Sequence, residues 1–316
     1  MKAYYTIHST GLEKASLENY DFKIYKAPSK KDKENFIHEY SLPKDVFYFD
    51  NMPEIAPRIE SLKNDVLGEL SIFVISNVIS QKEHQSVEMR LESHTFILSE
   101  KKLFWFMDGN SSDTDKMLAE LQDKNITSLE SIIMKIGLLA YKNFANELEE
   151  QKNKIDQFHK SAINSTSNVV LTRLADTERD MVMIQHTVDT QEQAFEKLLT
   201  SQSFVDSLDN ESLIYDIRWY NRQVKQLILV YRDLLDATSS LFTDIMGNNL
   251  NQLMKSLTTV SLILAAATFI PGLWGINTGG LPFGQSKFGF LVVALVSLLA
   301  GISMHFYLKQ QDHFEE

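Results

Sequence analysis

The sequence predicts an α+β cytoplasmic domain, built as a mixed sheet with flanking helices, followed by a long stalk helix and two transmembrane α-helices. Three observations support this order. Short β-rich runs fill roughly the first 110 residues, a helical apolar period then replaces them, and two long uncharged stretches lie near the end of the chain. The 316 residues include 31 Lys+Arg and 42 Asp+Glu, and nearly all of these charges precede the uncharged stretches.

The cytoplasmic part is predicted from its local periodicity. Runs rich in aromatic and β-branched residues predict strands at 3–8, 22–25, 46–49, 70–76, 95–99 and 103–106. Helices are predicted between them at 30–40 and 56–64, and long charged helices from 113 to 202. We therefore expect an α/β domain (1–112), a helical region (113–212), a stalk (213–255), a first membrane helix (256–274), an outer loop (275–287), a second membrane helix (288–308) and a tail (309–316).

The stalk is predicted from one apolar stripe that begins near Leu213. Its members recur every three or four residues and continue into the first uncharged stretch. Gly247 interrupts the stripe, but glycine costs only about 1 kcal/mol relative to alanine inside a helix. The pattern predicts one unbroken helix of roughly 60 residues.

Two stretches are long enough to cross a membrane. Residues 256–286 contain no Asp, Glu, Lys, Arg or His, and His305 is the one such residue within 288–308. Helices over 256–274 and 288–308 would be about 28 and 31 Å long, close to the roughly 30 Å of a hydrocarbon core. The short Gly- and Pro-containing loop between them predicts a hairpin. Because the N-terminal residues lack an apolar export signal, we expect a multi-pass plasma-membrane protein with both termini in the cytoplasm.

Composition excludes several classes of function. The chain has no cysteine, so it can form neither disulfides nor a thiolate zinc cluster. Its formal charge of −11, without basic runs, is unfavourable for binding nucleic acid. No Walker lysine motif, HExxH or nucleophile elbow occurs, so we expect no cofactor and no enzymatic activity. No two of the eight histidines lie three or four residues apart, so no preformed zinc site is recognisable.

The first membrane helix carries small polar residues, whereas the second is almost entirely aliphatic. One face of the first helix is predicted to line a pore through Asn251, Met254, Leu257, Ser261 and Thr268. Two helices cannot enclose a path, so a pore requires several subunits around an axis. The alternative is that these small and hydroxyl residues simply pack one helix against another.

Residues 251–277 resemble the pore helix and signature loop of the CorA family of divalent-cation channels and transporters. The matching residues are Asn251, Met254, Lys255, Leu257, Thr258, Gly272, Gly275 and Asn277, and the segment 57–61 (PRIES) is similar to a further family segment. The resemblance implies a homopentamer with its pore lined by the first membrane helix. It also implies a selectivity loop at Gly275, Ile276 and Asn277, in which Asn277 contacts the ion through its hydration shell.

One departure from the family pattern concerns the transported cation. Ile276 replaces the usual methionine, and the following Gly-Gly loop is similar to the zinc-transporting ZntB branch, whose transport is regarded as proton-coupled. Zinc is therefore slightly favoured, and a magnesium/cobalt channel gated by cytoplasmic metal, with Asp216 near a family sensor position, is the alternative. A membrane-anchored sensor or scaffold that transports nothing is the alternative from another class.

Overall fold

A computed structural model describes residues 2–8, 11–16, 18–48, 52, 56–80, 85–107, 112–122, 126–164, 168–208, 210–276, 282 and 286–312. The chain divides into two compact units, Met1–Ser239 and Ser240–Glu316. The first unit contains a sheet and several helices, and the second contains the apolar helical segments. Each unit is described by itself below.

The sheet of the first unit is mixed, as predicted. Its strands are β1 (Lys2–His8), β2 (Gly11–Lys14), β3 (Phe22–Lys26), β4 (Arg58–Asn64), β5 (Gly68–Val78), β6 (Leu91–Leu98) and β7 (Leu103–Met107). They lie in the order β2-β1-β3-β7-β6-β5-β4. Among these strands β3 and β7 pair in parallel, and the other neighbours are antiparallel.

Seven α-helices accompany the sheet or follow it. They are α1 (Lys30–Glu39), α2 (Ser112–Gln122), α3 (Leu129–Asn164), α4 (Asn168–Leu199), α5 (Gln202–Asp206), α6 (Ser212–Trp274) and α7 (Gly289–Asp312) among the described residues. The helix α1 begins at a capping box, in which the Ser29 side chain accepts from the Asp32 N–H and the Asp32 carboxylate accepts from the Ser29 N–H.

One face of the sheet packs against α1 through aromatic rings. Phe36 of α1 lies 4.9 Å from the ring centroids of both Phe104 and Phe106 in β7. Tyr25 of β3 stacks on Phe106 at 4.3 Å. Because these rings bury large apolar areas from several elements at once, they form the core that fixes α1 on the sheet.

The opposite face packs against α3 and α4. The rings of Phe73 in β5 and Phe195 in α4 lie 4.9 Å apart. Pairing of β4 with β5 ends at Val74, so the Ser76 N–H lies beyond its neighbouring strand. The Gln191 side chain of α4 accepts from that N–H at 2.9 Å, and a helix side chain thereby completes the edge of the sheet.

A buried ionic network joins these helices to the turn before β6. Arg90 donates two hydrogen bonds of 2.6 Å to the carboxylate oxygens of Glu147. Their side chains are 0% and 5% exposed. Nearby, Asp180 accepts from the Val87 N–H at 2.9 Å, and burial raises the pKa of its carboxyl while Lys154 opposes that shift.

The strand predicted at 46–49 is wrong over its described part. Residues 44–48 form turns, in which the Val46 and Tyr48 N–H groups donate to the carbonyls of Pro43 and Asp45. Val46 and Phe47 are nonetheless buried. The hydrophobic residues here complete the core under α1 and do not form a strand.

The helix predicted at 56–64 is also wrong, because this segment contains β4, which pairs with β5 along its whole length. The turn between them is held by Asn64, whose Oδ1 accepts from the Val66 and Leu67 N–H groups, and by Gly68 at φ +80°. The Asn64 and Gly68 turn residues were the missed hairpin signal. The short strand β2 was missed as well.

The continuous helix predicted from the stalk into the first membrane span is confirmed. The helix α6 has 63 residues and passes through Gly247 without a break. Its buried residues recur at helical spacing: Leu213, Ile217, Asn221, Val224, Ile228, Leu235, Thr238 and Phe242. The most apolar windows of α6 and α7 are 0% and 6% buried within the chain, so both helices are candidates to span a membrane.

Candidate ion pathway

The polar side chains in the apolar part of α6 bond to their own helix. The Ser261 hydroxyl donates to the Leu257 carbonyl, and the Thr268 hydroxyl donates to the Leu264 carbonyl, each at 2.8 Å. With its proton used in this way, each hydroxyl oxygen keeps its lone pairs for a donor outside the helix. Such an oxygen can accept a hydrogen bond from water.

The helix α7 packs against one side of α6. A Cβ built on Gly301 would lie 3.4 Å from the Ala267 Cβ and 3.9 Å from Ile263 Cγ2, so the two helices approach closely at small residues. Asn251, Met254, Leu257, Ser261 and Thr268 are all exposed. At 3.6 residues per turn their face is centred about 150° from Ile263, Ala267 and Trp274. The predicted pore residues therefore share the side of α6 that faces away from α7.

The outer surface of α7 is apolar. Its strongly exposed side chains include Phe290, Leu291, Leu295, Leu298, Leu299, Ile302 and Phe306. Such a surface suits contact with lipid, whereas exposed amide and hydroxyl groups suit contact with water or with another copy of the chain. The contrast expected between the two membrane helices is present in the structure.

Pro271 lies inside α6, where it supplies no N–H for the helical bond to the Ala267 carbonyl. The Ser297 hydroxyl of α7 donates a hydrogen bond to that same carbonyl. No sequence pattern identified Ser297 as a functional residue. The available signal was a proline within a membrane helix together with a serine in the neighbouring one.

The predicted selectivity segment begins where α6 ends. The Gly275 N–H donates to the Pro271 carbonyl at 2.9 Å, and the Ile276 N–H donates to the Leu273 carbonyl at 3.3 Å. Ile276 is exposed. Asn277 lies outside the described residues, so the structure places the start of the segment at the end of α6 and leaves the predicted role of Asn277 untested.

In the first unit, polar contacts hold α6 against α4. Arg218 forms two 2.9 Å bonds to Glu196, and Lys225 lies 3.0 Å from Asp189 and 2.6 Å from Glu192. Hydrogen bonds to Glu192 and Asp189 raise the pKa of the Lys225 ammonium. Since these groups are partly exposed, they orient α6 on α4 more than they add stability.

Asp216, the residue near the family sensor position, is one of several aspartates spread along α6. Asp216 is half-buried, while Asp233, Asp236 and Asp244 are exposed. Within the described part of the chain, no three His, Asp or Glu side chains converge as a metal-binding group. Asp216 therefore belongs to no metal-binding group formed by the described residues of a single copy.

An α+β unit and two apolar helices, the first of which is the end of the continuous helix α6 and carries a polar face, are typical of integral membrane proteins with a large soluble domain. The particular family follows from comparison with known proteins. Residues 20–310 match the family model described as CorA-like Mg²⁺ transporter protein. The chain belongs to this family, and it is therefore a transporter of divalent cations and not an enzyme.

Individual relatives agree with this assignment. The chain is 21% identical to the cobalt/magnesium transport protein CorA of Thermotoga maritima over 81% of its own length and 72% of that protein. The structure of the CorA magnesium transporter of Methanocaldococcus jannaschii superposes with a TM-score of 0.74 at 13% identity, covering 97% of this chain and 96% of that one. A zinc transport protein, ZntB of Yersinia pseudotuberculosis, is 30% identical over 77 residues, which are 24% of this chain and 22% of that protein.

Proposed function

We propose that this chain forms a homopentameric pore in the plasma membrane, in which the polar face of α6 surrounds the path of a hydrated divalent cation. The observation that carries the proposal is the position of Asn251, Ser261 and Thr268, which are exposed and point away from α7. Amide and hydroxyl groups are costly against lipid, so several copies that turn these faces inward remove that cost. The pentameric number comes from the family resemblance.

The chemistry of this face suits an ion that keeps its water. Ser261 and Thr268 offer hydroxyl oxygens whose protons are already bonded within the helix. Hydrogen-bond acceptors of this kind bind the waters of a cation without replacing them, which suits Mg²⁺ because it dehydrates reluctantly. Met254 and Leu257 lie on the same face as an apolar constriction, which can close the path by dewetting.

The outer end of the path is assigned to Gly275, Ile276 and Asn277. A ring of Asn277 carboxamides would present neutral oxygens to the hydration shell of an arriving cation. We place both termini in the cytoplasm. Asp216 is proposed as a regulatory ligand that requires carboxylates from a neighbouring copy, because one copy supplies no cluster among its described residues.

The identity of the cation is a second question. Ile276 and the Gly-Gly loop favour zinc, and so does the similarity to a zinc transport protein over 77 residues. The family model and the longer matches favour magnesium or cobalt. Zinc passing this face would do so without thiolates, since the chain has no cysteine.

A flux experiment tests both parts. The full chain is reconstituted into liposomes that enclose a fluorescent indicator, and Zn²⁺ and Mg²⁺ are added with and without a pH gradient. Flux that Asn277→Ala abolishes, while the exposed-asparagine control Asn153→Ala does not, supports the pore. Unchanged flux in Asn277→Ala contradicts the assigned selectivity segment. Mg²⁺ flux that is insensitive to the gradient, without Zn²⁺ flux, removes the zinc version.

The absence of cysteine permits a direct test of the pore face. Ser261→Cys introduces a single thiol on this face, and Val260→Cys introduces one that is rotated by about 100° toward the side on which α7 packs. Val260 is 51% exposed, so a thiol at this position is available to a reagent as well. A charged thiol reagent is expected to block flux through the first variant and not through the second. Equal block in both variants would contradict the assignment of the face.

A further inference from the structure

Pro271 creates a specific problem for a helix in a membrane. A proline has no N–H, so the carbonyl four residues earlier, at Ala267, loses its ordinary helical donor. Water is absent from the hydrocarbon core, where an unsatisfied backbone carbonyl costs several kcal/mol. A proline inside a membrane helix is therefore tolerated when another group bonds to the freed carbonyl.

The second helix supplies such a group. The Ser297 hydroxyl donates to the Ala267 carbonyl. Close approach makes this contact possible, since a Cβ added at Gly301, one turn further along α7, would already be in van der Waals contact with Ala267 Cβ at 3.4 Å. A serine, a glycine and an alanine thus join the two helices at the level of the carbonyl that Pro271 leaves open.

This contact lies close to the predicted selectivity segment. The Pro271 carbonyl accepts from the Gly275 N–H, so the last turn of α6 rests directly on the proline. Beside that turn, a groove of about 620 Å³ lies between the two helices and is lined by Trp274, Gly289 and Phe290 among others. The groove leaves this side of the last turn partly uncovered by α7.

We infer that Ser297 is a positioning residue, which replaces the helical donor missing at Pro271 and thereby fixes the direction in which α6 presents Gly275, Ile276 and Asn277. The inference rests on the proposed function for its effect on transport. The hydrogen bond itself does not depend on that function, and a separate measurement tests it.

The experiment is a double-mutant cycle between the two helices. Ser297→Ala removes the donor, and Pro271→Ala gives residue 271 an N–H that can bond to the Ala267 carbonyl. Single interhelical hydrogen bonds in membranes contribute up to about 1.7 kcal/mol, so Ser297→Ala is expected to lower flux of Mg²⁺ or Zn²⁺ roughly three- to twentyfold. In the Pro271→Ala background the same substitution is expected to change flux less than about twofold, because the carbonyl then has its helical donor.

Two further variants control the cycle. Ser297→Thr keeps the hydroxyl and is expected to restore flux, and Ser303→Ala removes an exposed serine from the same helix and is expected to change nothing. A positioning role also changes the ratio of Mg²⁺ to Zn²⁺ flux in Ser297→Ala. Lower amounts of folded protein would reduce both fluxes equally and leave that ratio unaltered.

Melting temperatures of the same four proteins of the cycle in detergent separate the possible failures. Coupling between positions 271 and 297 in both melting temperature and flux supports the inference. Coupling in melting temperature with an unchanged flux ratio overturns the positioning role and leaves a structural bond. Absence of coupling in both overturns the whole inference, whereas failure of the proposed function appears separately, as wild-type flux that is absent or that survives Asn277→Ala.

Discussion

Polar groups have opposite surroundings in the two units of this protein. In the first unit Arg90 and Glu147 are almost fully buried and bonded to each other. In the second unit Asn251, Ser261 and Thr268 are exposed, and the apolar residues around them are exposed too. The buried charges of the first unit are paired within one chain. Exposed polar residues on an apolar helix indicate that water or another copy of the chain surrounds them in the membrane.

The two units also differ in whether contacts within one chain account for their polar residues. In the first unit a residue is explained when its contacts within the chain account for it. In the second unit the residues of interest are those that such contacts leave unexplained, because membrane, water and further copies of the chain complete their environment. The following substitutions test where this division holds, beginning with the largest expected effect.

Breaking the buried ion pair is expected to cost the most. Arg90→Met leaves the Glu147 carboxylate buried without its bidentate partner, and removal of one member of a buried pair costs about 3–5 kcal/mol. The shift of the urea unfolding transition in detergent, followed by tryptophan fluorescence, measures this cost. Arg179→Met removes an arginine from an exposed pair with Glu88 and is the matched control, with an expected cost of about 1 kcal/mol or less. Similar shifts in both variants would contradict the view that burial gives the first pair its importance.

Arg90 also illustrates what the sequence could not predict. Of the eight strands and helices predicted in the sheet region, six are present in the structure. The apolar stripe that begins at Leu213 predicted the helix α6. The partners of Arg90 and Ser297 are 57 and 30 residues away, and no local period encodes such contacts. The segment 56–64 failed for a related reason, since its strand conformation depends on pairing with β5.

The pore face could be predicted from the sequence only in part. The spacing of Asn251, Ser261 and Thr268 predicted a shared side of one helix from the helical period alone. The side on which α7 packs could not be predicted in this way, because it depends on where Gly301 and Ser297 meet α6. The structure shows on which side of α6 the helix α7 packs. This side and the side that carries the polar residues together give the proposed orientation of the pore face.

Two helical glycines, one in each unit, test how closely the helices are packed by their own chain. A Cβ added at Gly137 of α3 would lie 2.2 Å from Phe195 Cζ of α4, far inside normal contact. Gly137→Ala is expected to cost about 2–3 kcal/mol, in the upper part of the range for overpacked cores. The urea transition measures this as well, and Phe195→Leu in the same chain is expected to recover part of the loss by making space.

Gly247 of α6 is the matched glycine, with nothing within 4 Å of its added Cβ. Gly247→Ala is expected to stabilise the chain by up to about 1 kcal/mol through helix propensity alone. A loss of stability or of oligomer on size-exclusion chromatography would contradict this expectation. It would mean that another copy of the chain packs against α6 at Gly247.

A further expected effect depends on pH and arises in the core of the first unit. His94 is fully buried, its Nδ1 accepts from Trp105 Nε1 at 3.2 Å, and its Nε2 has no hydrogen-bond partner among the described residues. Burial lowers the pKa of the His94 imidazole from 6.5 to about 4. The unfolded chain therefore binds a proton below pH 6.5 that the folded chain does not bind until pH 4, so this contribution to stability is complete above pH 6.5 and is lost as the pH falls toward 4.

Between pH 7 and pH 5 the His94 contribution is expected to fall by about 2 kcal/mol. His94→Gln keeps an acceptor for Trp105 and cannot take up a proton, so its unfolding free energy should decline less over this interval than that of the wild type. Asp180 shifts in the opposite direction, because burial raises the pKa of its carboxyl, and it is present in both proteins. The difference between the two pH profiles therefore isolates His94. Parallel profiles would mean that the imidazole is already accessible to protons in the folded state, and that burial within the first unit does not isolate its polar groups as the comparison requires.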